Sequence, residues 1–187
     1  MRKIPTVFVR DDADRRFVTS AVTTGCEWVF EGEGRATRKY DGTCVMLDGE
    51  GRWWARREVK AGKDTPPSFW AVQHDEATGK AVGWEPMEQS GWARWHADAL
   101  GHTGVGQTLE PGTYELIGPR VNGNPEGEYV HRLVPHVEAE ELPDAPKTFA
   151  ELAAYLLDRP YEGIVWHHPD GRMAKLKKRD FPAKANP

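Results

Sequence analysis

Glycine and proline break this chain at short intervals, and that punctuation limits it to short elements joined by turns. Nineteen glycines and 14 prolines lie among 187 residues, and both residue types end elements rather than extend them. Between the breaks, residues 36–47 (ATRKYDGTCVML) read as strand, polar break and strand. A DGEG turn leads into residues 50–60 (EGRWWARREVK), which read as a hairpin partner. Residues 61–68 and 74–81 read as loops, 113–117 (TYELI) as a strand entered from a Pro-Gly turn, and 128–135 as another strand. Near the end, EGIVWHH and RMAKLKK flank PDG, a hairpin signal.

Two helices interrupt this pattern. Residues 87–100 carry Trp92, Trp95 and Ala99 near helical spacing, with Gly101 as the expected stop. An acidic, proline-containing connector (138–146) then precedes the clearest helix. Thr148 and Glu151 have capping-box spacing, Phe149, Leu152, Tyr155 and Leu156 share a face, and Pro160 ends the run. Strands with inserted helices predict the α+β class.

The length fits one domain, 1–187, with a sizeable core. Mean hydropathy is −0.68, no apolar run approaches the ~18 residues of a membrane span, and no secretory h-region follows the start. Cys26 and Cys44 are too few for a disulfide framework, and neither has a CxxC or histidine-spaced partner, so no zinc site is expected. These features predict a cytoplasmic, monomeric protein that engages no membrane, and they argue against a receptor, a secreted mini-domain or a multi-module enzyme.

Net charge is −4, but charge is segregated. Residues 52–63 hold five basic residues and one acidic, and residues 172–187 hold six and one, while Glu138, Glu140, Glu141 and Asp144 cluster elsewhere. Segregated charge of this kind can focus an anion such as a phosphate chain.

Four short constellations carry the chemistry. Lys39-Tyr40-Asp41-Gly42 sits at a break between strands. On its own it reads first as a hairpin corner, because Asp-Gly turns are common; the sharper reading is a nucleophilic lysine, which needs cationic neighbours such as Arg38 or partial desolvation to lose its proton. In the terminal hairpin Lys175 and Lys177 share a strand face, and Glu162 begins the opposite strand. A carboxylate beside paired lysines suits a metal–phosphate site as well as a solvated edge. Glu115 in TYELIG and Arg56 in WARR are the other charged residues placed on strands of interest. No GxxxxGK[ST] loop exists, so ATP binding would need another scheme. Trp53 or Trp54 could offer a face for base stacking.

The order KYDG, WAR, YELIG, EGIV, KLK resembles the motif series of the covalent nucleotidyltransferase superfamily, which comprises ATP-dependent DNA ligases, RNA ligases and mRNA capping enzymes. The resemblance covers about residues 35–181, and the ending WHHPDGRMAKLKKRDF is most similar to small ATP-dependent RNA ligases. It implies an ATP-grasp-like nucleotidyltransferase core of two antiparallel sheets with ATP in the cleft between them, flanking helices and no appended OB-fold. It also implies roles. Lys39 attacks the α-phosphorus of ATP and carries AMP. Asp41 and Gly42 complete that motif, and Arg38 lies beside it as a nucleotide-side cation. Arg56 contacts the nucleotide or the RNA 5′ phosphate, and Glu115 the ribose hydroxyls. Glu162 associates with Mg2+ or Mn2+, Val165 packs on the adenine, and Lys175 and Lys177 meet the α-phosphate. Tyr129 is the candidate for stacking on adenine.

The implied activity is ATP-dependent joining of an RNA 5′ phosphate to a 3′ hydroxyl. Two positions depart from the pattern. Cys44 stands where many ligases have arginine, which alters contacts to the nucleotide or 5′ phosphate, and His167 stands where many have lysine and is its substitute. Two alternatives stay open: transfer to another acceptor (as in capping-type guanylyl transfer, DNA ligation or protein adenylylation), and a noncatalytic nucleotide- or RNA-binding module.

Overall fold

The computed structural model describes residues 2–76, 78–104 and 108–182. Its strands are β1 (Phe8–Arg10), β2 (Val18–Val22), β3 (Arg35–Lys39), β4 (Thr43–Leu47), β5 (Trp53–Val59), β6 (Trp70–Asp75), β7 (Lys80–Pro86), β8 (Gly112–Ile117), β9 (Arg132–Pro135), β10 (Gly163–His167) and β11 (Met173–Lys177). The helices are a single turn α1 (Trp28–Glu31), α2 (Ala93–His102) and α3 (Phe149–Leu157). The class is α+β. Among the described residues no helix is long and apolar enough to cross a membrane. The chain divides into two compact units, one formed by Asp41–Glu138 with Met1–Lys3, the other by Ile4–Tyr40 with Ala139–Pro187.

The Asp41–Glu138 unit is built on a six-stranded sheet in the order β6-β7-β5-β4-β8-β9, with every pair antiparallel. Alternation decides its faces. Val45, Leu47, Ala55, Tyr114 and Leu116 are buried on one face, in a core that includes Ala99 of α2, with Trp92 and Trp95 packed against it. The expected helix over 87–100 is displaced. Met87–Gln89 form a 3-10 turn, Ser90 is extended (φ −74°, ψ 150°), and α2 runs on through Gly101 to an extended Thr103. Thr103 supplies the stop by donating its hydroxyl to the Ala99 carbonyl at 3.3 Å. The segment 74–81, read as a loop from its polar residues, is largely the hairpin β6–β7. β6 is an edge strand, where polar side chains meet water without cost.

The other unit carries the three-stranded antiparallel sheet β11-β10-β3 and the ribbon β1–β2. The terminal hairpin forms as the PDG signal indicated. Extended segments cover both edges of its sheet: Pro5 and Val7 bond Lys175 beside β11, and Glu140 and Leu142 bond Arg38 and Ala36 of β3. Covering edges in this way removes unpaired backbone groups. Ile164, Trp166, Ala174 and Leu176 form the inner face, buried with Leu152 and Leu156 of α3 and with Phe8 and Val18. Burial of each such leucine contributes about 1.5–3 kcal/mol. The Thr148 side chain caps α3 by accepting from the Glu151 amide at 3.4 Å and donating to the Glu151 carboxylate at 2.6 Å.

The two strands flanking the KYDG break do not pair with each other. β3 pairs with β10, whereas β4 pairs with β5 and β8. Asp-Gly is therefore no hairpin corner: the boundary between units falls between Tyr40 and Asp41. Gly42 is glycine because of close approach. A Cβ there would stand 2.2 Å from the Leu116 carbonyl oxygen and 2.8 Å from Ile117 Cγ2. At Gly163 a Cβ would stand 2.1 Å from the Leu176 carbonyl oxygen. Backbone obstacles cannot rotate aside, so Gly42→Ala and Gly163→Ala should each destabilise the protein by about 1–3 kcal/mol. Gly49→Ala, with nothing within 4 Å, should stay within about 0.5 kcal/mol. Chemical denaturation midpoints of the three variants check this.

Candidate active site

The sheet β11-β10-β3 turns one face to its core and shows chemistry on the other. Register places Lys39 and Lys177 on either side of Gly163, and Thr37 and Lys175 on either side of Val165. Alternation therefore collects Lys39, Thr37, Val165, His167, Lys175 and Lys177 on the face opposite Ile164, Trp166, Ala174 and Leu176. Thr37 is buried; its hydroxyl donates to the Val165 carbonyl at 3.2 Å and lies 3.0 Å from His167 Nε2. Asp180, also buried, fixes the end of β11. One oxygen accepts the Lys177 amide at 2.8 Å and the other pairs with Arg10 at 2.8 Å.

At the centre stands Glu162. Its Oε2 lies 2.5 Å from Lys39 Nζ, and its Oε1 pairs with Lys177 Nζ. All three side chains are mostly shielded, at 9% exposure for Glu162, 18% for Lys39 and 15% for Lys177. Burial is the largest single influence on the carboxylate and raises its pKa. The charges and hydrogen bonds of Lys39 and Lys177 together outweigh it, and the net shift is downward.

The motif residues of the Asp41–Glu138 unit also gather on the face turned away from their core. Cys44 and Glu115 are directly opposed across β4 and β8, next to the pair Met46 and Thr113. Glu115 is buried. Its Oε1 accepts the Gly42 amide at 3.1 Å, and its Oε2 lies 3.0 Å from His136 Nε2. Asp41 is held by its backbone and its side chain, through its amide to Glu126 at 2.8 Å and through Asn122 to its carboxylate at 3.1 Å. Arg56 alternates onto the same face as Trp54, and its buried Nε has no hydrogen-bond partner among the described residues. An orphaned guanidinium donor of this kind fits an anionic ligand.

The structure thus brings Lys39, Glu162, Val165, Lys175 and Lys177 to one sheet face, and Gly42 and Glu115 into hydrogen-bonding contact within the other unit. It does not bring the Arg38 guanidinium to the Lys39 face. Arg38 opposes Ile164, stacks over the rings of Tyr40 and Tyr161 at 4.5 and 5.3 Å, and pairs with Glu140 at 3.4 Å. Two of the five basic residues of the run 52–63 are paired with acids, Arg52 on Asp48 and Glu50 and Arg57 on Glu85. Trp53 packs edge-on against His96 at 4.5 Å, Trp54 donates to Asp48 at 2.8 Å, and Tyr129 is 97% exposed. Sequence reasoning passed over His136, Glu126 and Asn122, which act through contacts with no linear spacing to reveal them, and Asp180, whose spacing of three from Lys177 is a capping signal.

Two ammonium groups occupy one lone-pair direction on each Glu162 oxygen. A carboxylate has about four such directions, so those remaining fit the water shell of Mg2+ better than direct coordination. Since the folded pKa of Glu162 lies below its unfolded value of ~4.3, its stabilising contribution is present above that value and is lost as pH falls through the folded one. The stability gap between wild type and Glu162→Gln, read from denaturant titrations, should be widest above pH ~5 and shrink below pH ~4.

No protein-family model matches the chain. The chain is 26% identical to RNA ligase 1 of Danio rerio, in an alignment that covers 98% of this chain and 81% of that protein. The alignment spans 264 positions, more than the 187 residues present, so the relative carries segments that this chain lacks. In its motif series and along nearly its whole length, the chain resembles RNA ligases.

Proposed function

We propose that the protein is an ATP-dependent RNA ligase that carries AMP on Lys39. The observation that carries the reading is the Lys39–Glu162–Lys177 bridge, with Lys175 on the same face. In the first step Lys39 Nζ forms a bond to the α-phosphorus, and the bond to the pyrophosphate oxygen breaks. AMP then passes to an RNA 5′ phosphate, and attack by a 3′ hydroxyl expels it and seals the strand. Phosphoryl transfer of this kind depends on positioning and electrostatics more than on covalent chemistry by the protein.

The residues divide the work accordingly. Lys175 and Lys177 neutralise the α-phosphate oxygens, and Val165 offers an apolar surface to the base. Glu115, held by the Gly42 amide, accepts from the ribose hydroxyls, and Arg56 takes a phosphate. Glu162 holds the nucleophile in place through its bond to Nζ. Attack requires the free amine, so the proton on Nζ passes to solvent before the bond to phosphorus forms. Glu162 would hold Mg2+ through water, and the ion would supply charge neutralisation at the pyrophosphate.

Incubation with Mg2+ and α-labelled ATP should leave covalent label on wild-type protein and none on Lys39→Ala. A wild type that never labels, or one that labels from GTP in preference, overturns the assignment. Lys177→Ala should slow labelling by roughly 10²–10³-fold, the range for losing one donor to a developing charge. With 5′-phosphorylated RNA bearing a 3′ hydroxyl, joined product should accumulate. Joining of the equivalent DNA in its place would move the acceptor to DNA.

A further inference from the structure

We infer that Cys44, Glu115 and His136 form a binding site for a divalent cation of the zinc class. The three come from β4, β8 and the 3-10 turn His136–Glu138 that follows β9. Cys44 Sγ, a Glu115 carboxylate oxygen and a His136 ring nitrogen all lie within 4.8 Å of one another. Thiolate, imidazole and carboxylate are the donor types zinc takes in tetrahedral sites, and three protein ligands leave a fourth position for water. Thiolate is a poor ligand for hard ions, so the set selects against Mg2+.

The surroundings hold these donors as an outer shell holds metal ligands. Glu115 Oε1 is anchored by the Gly42 amide at 3.1 Å, which leaves Oε2 as the ligating oxygen. His136 Nδ1 lies 2.9 Å from the Thr113 hydroxyl, on the same strand as Glu115. With Nδ1–H donating to Thr113, the Nε2 lone pair points at Glu115 Oε2, 3.0 Å away. In the other tautomer Nε2–H donates to Glu115 Oε2 and the Thr113 hydroxyl donates to Nδ1; in the metal-bound one the cation takes the place of that proton. The Thr113 hydroxyl both donates and accepts, so it suits a proton-bound and a metal-bound imidazole alike. A histidine whose second nitrogen is fixed in this way is the usual form of a metal-ligating imidazole. Cation binding takes the Cys44 sulfur as thiolate and releases its proton to solvent.

The site lies wholly within the Asp41–Glu138 unit and shares Glu115 with the nucleotidyl-transfer reading, but its test does not depend on that reading. A chain that never labels with AMP would still bind the cation. Co2+ is the probe, because a tetrahedral sulfur-ligated Co2+ gives visible d–d bands and a near-ultraviolet thiolate-to-metal charge-transfer band. Anaerobic titration of the full chain should give both, saturating at one equivalent and bleached by Zn2+. Cys44→Ser should lose the charge-transfer band, whereas Cys26→Ser should keep it. Thr113→Val, which removes only the outer partner, should weaken binding by roughly 10–100-fold. Zn2+ should raise the melting temperature of wild type and not that of Cys44→Ser. Absence of a charge-transfer band in the wild type, or its persistence in Cys44→Ser, would overturn the site.

Discussion

A single carboxylate holding two ammonium groups organises the chemistry of this protein. Without Glu162, Lys39 and Lys177 would face each other across Gly163 as unscreened like charges in a largely shielded place. Removing one partner of such a group leaves the remaining charge uncompensated, which costs more than the intact arrangement gains. The backbone is built to deliver it. β10 must run close enough to β11 that only glycine fits at position 163, and the end of β11 is clamped by Asp180, itself pinned by Arg10. A neighbouring residue, Asp180, and a remote one, Arg10, thus fix the end of the strand that presents Lys177 to the carboxylate.

The same construction appears in both units. Each sheet buries one face under helix and aromatic residues and turns most of its motif residues to the other, so period-two alternation separates them. Lys39 and Arg38 show how sharp that sorting is. They are neighbours in sequence and both cationic, yet one bonds Glu162 while the other stacks on two tyrosines and pairs with Glu140. Adjacency along a strand separates side chains, and for that reason a nearby arginine was a poor candidate for tuning the lysine.

Local signals were legible in the sequence; long-range ones were not. The Thr148 cap, the PDG hairpin and the shared face of Lys175 and Lys177 each depend on residues a few positions apart, and all three are present in the structure. The hairpin β6–β7 escaped because an edge strand needs no apolar alternation, so its polar residues mimic a loop. The start of α2 moved because Ser90 is extended. The KYDG break could not be read as a crossing between two units, since Asp-Gly has the same local chemistry in a hairpin. Which atoms bond Glu115 was beyond reach, because Gly42 and His136 approach it from separate parts of the chain.

Glu162 and Glu115 make the general point about carboxylates on a sheet face. Both are shielded, and both have each oxygen engaged. Glu162 is engaged by two ammonium groups and has surplus positive charge around it. A further cation must approach through water or displace an ammonium group. Glu115 is engaged by a neutral amide and by an imidazole, with a thiol beside them. The charge of the partners, more than the carboxylate itself, therefore decides which site takes phosphate-side chemistry and which takes a soft metal ion.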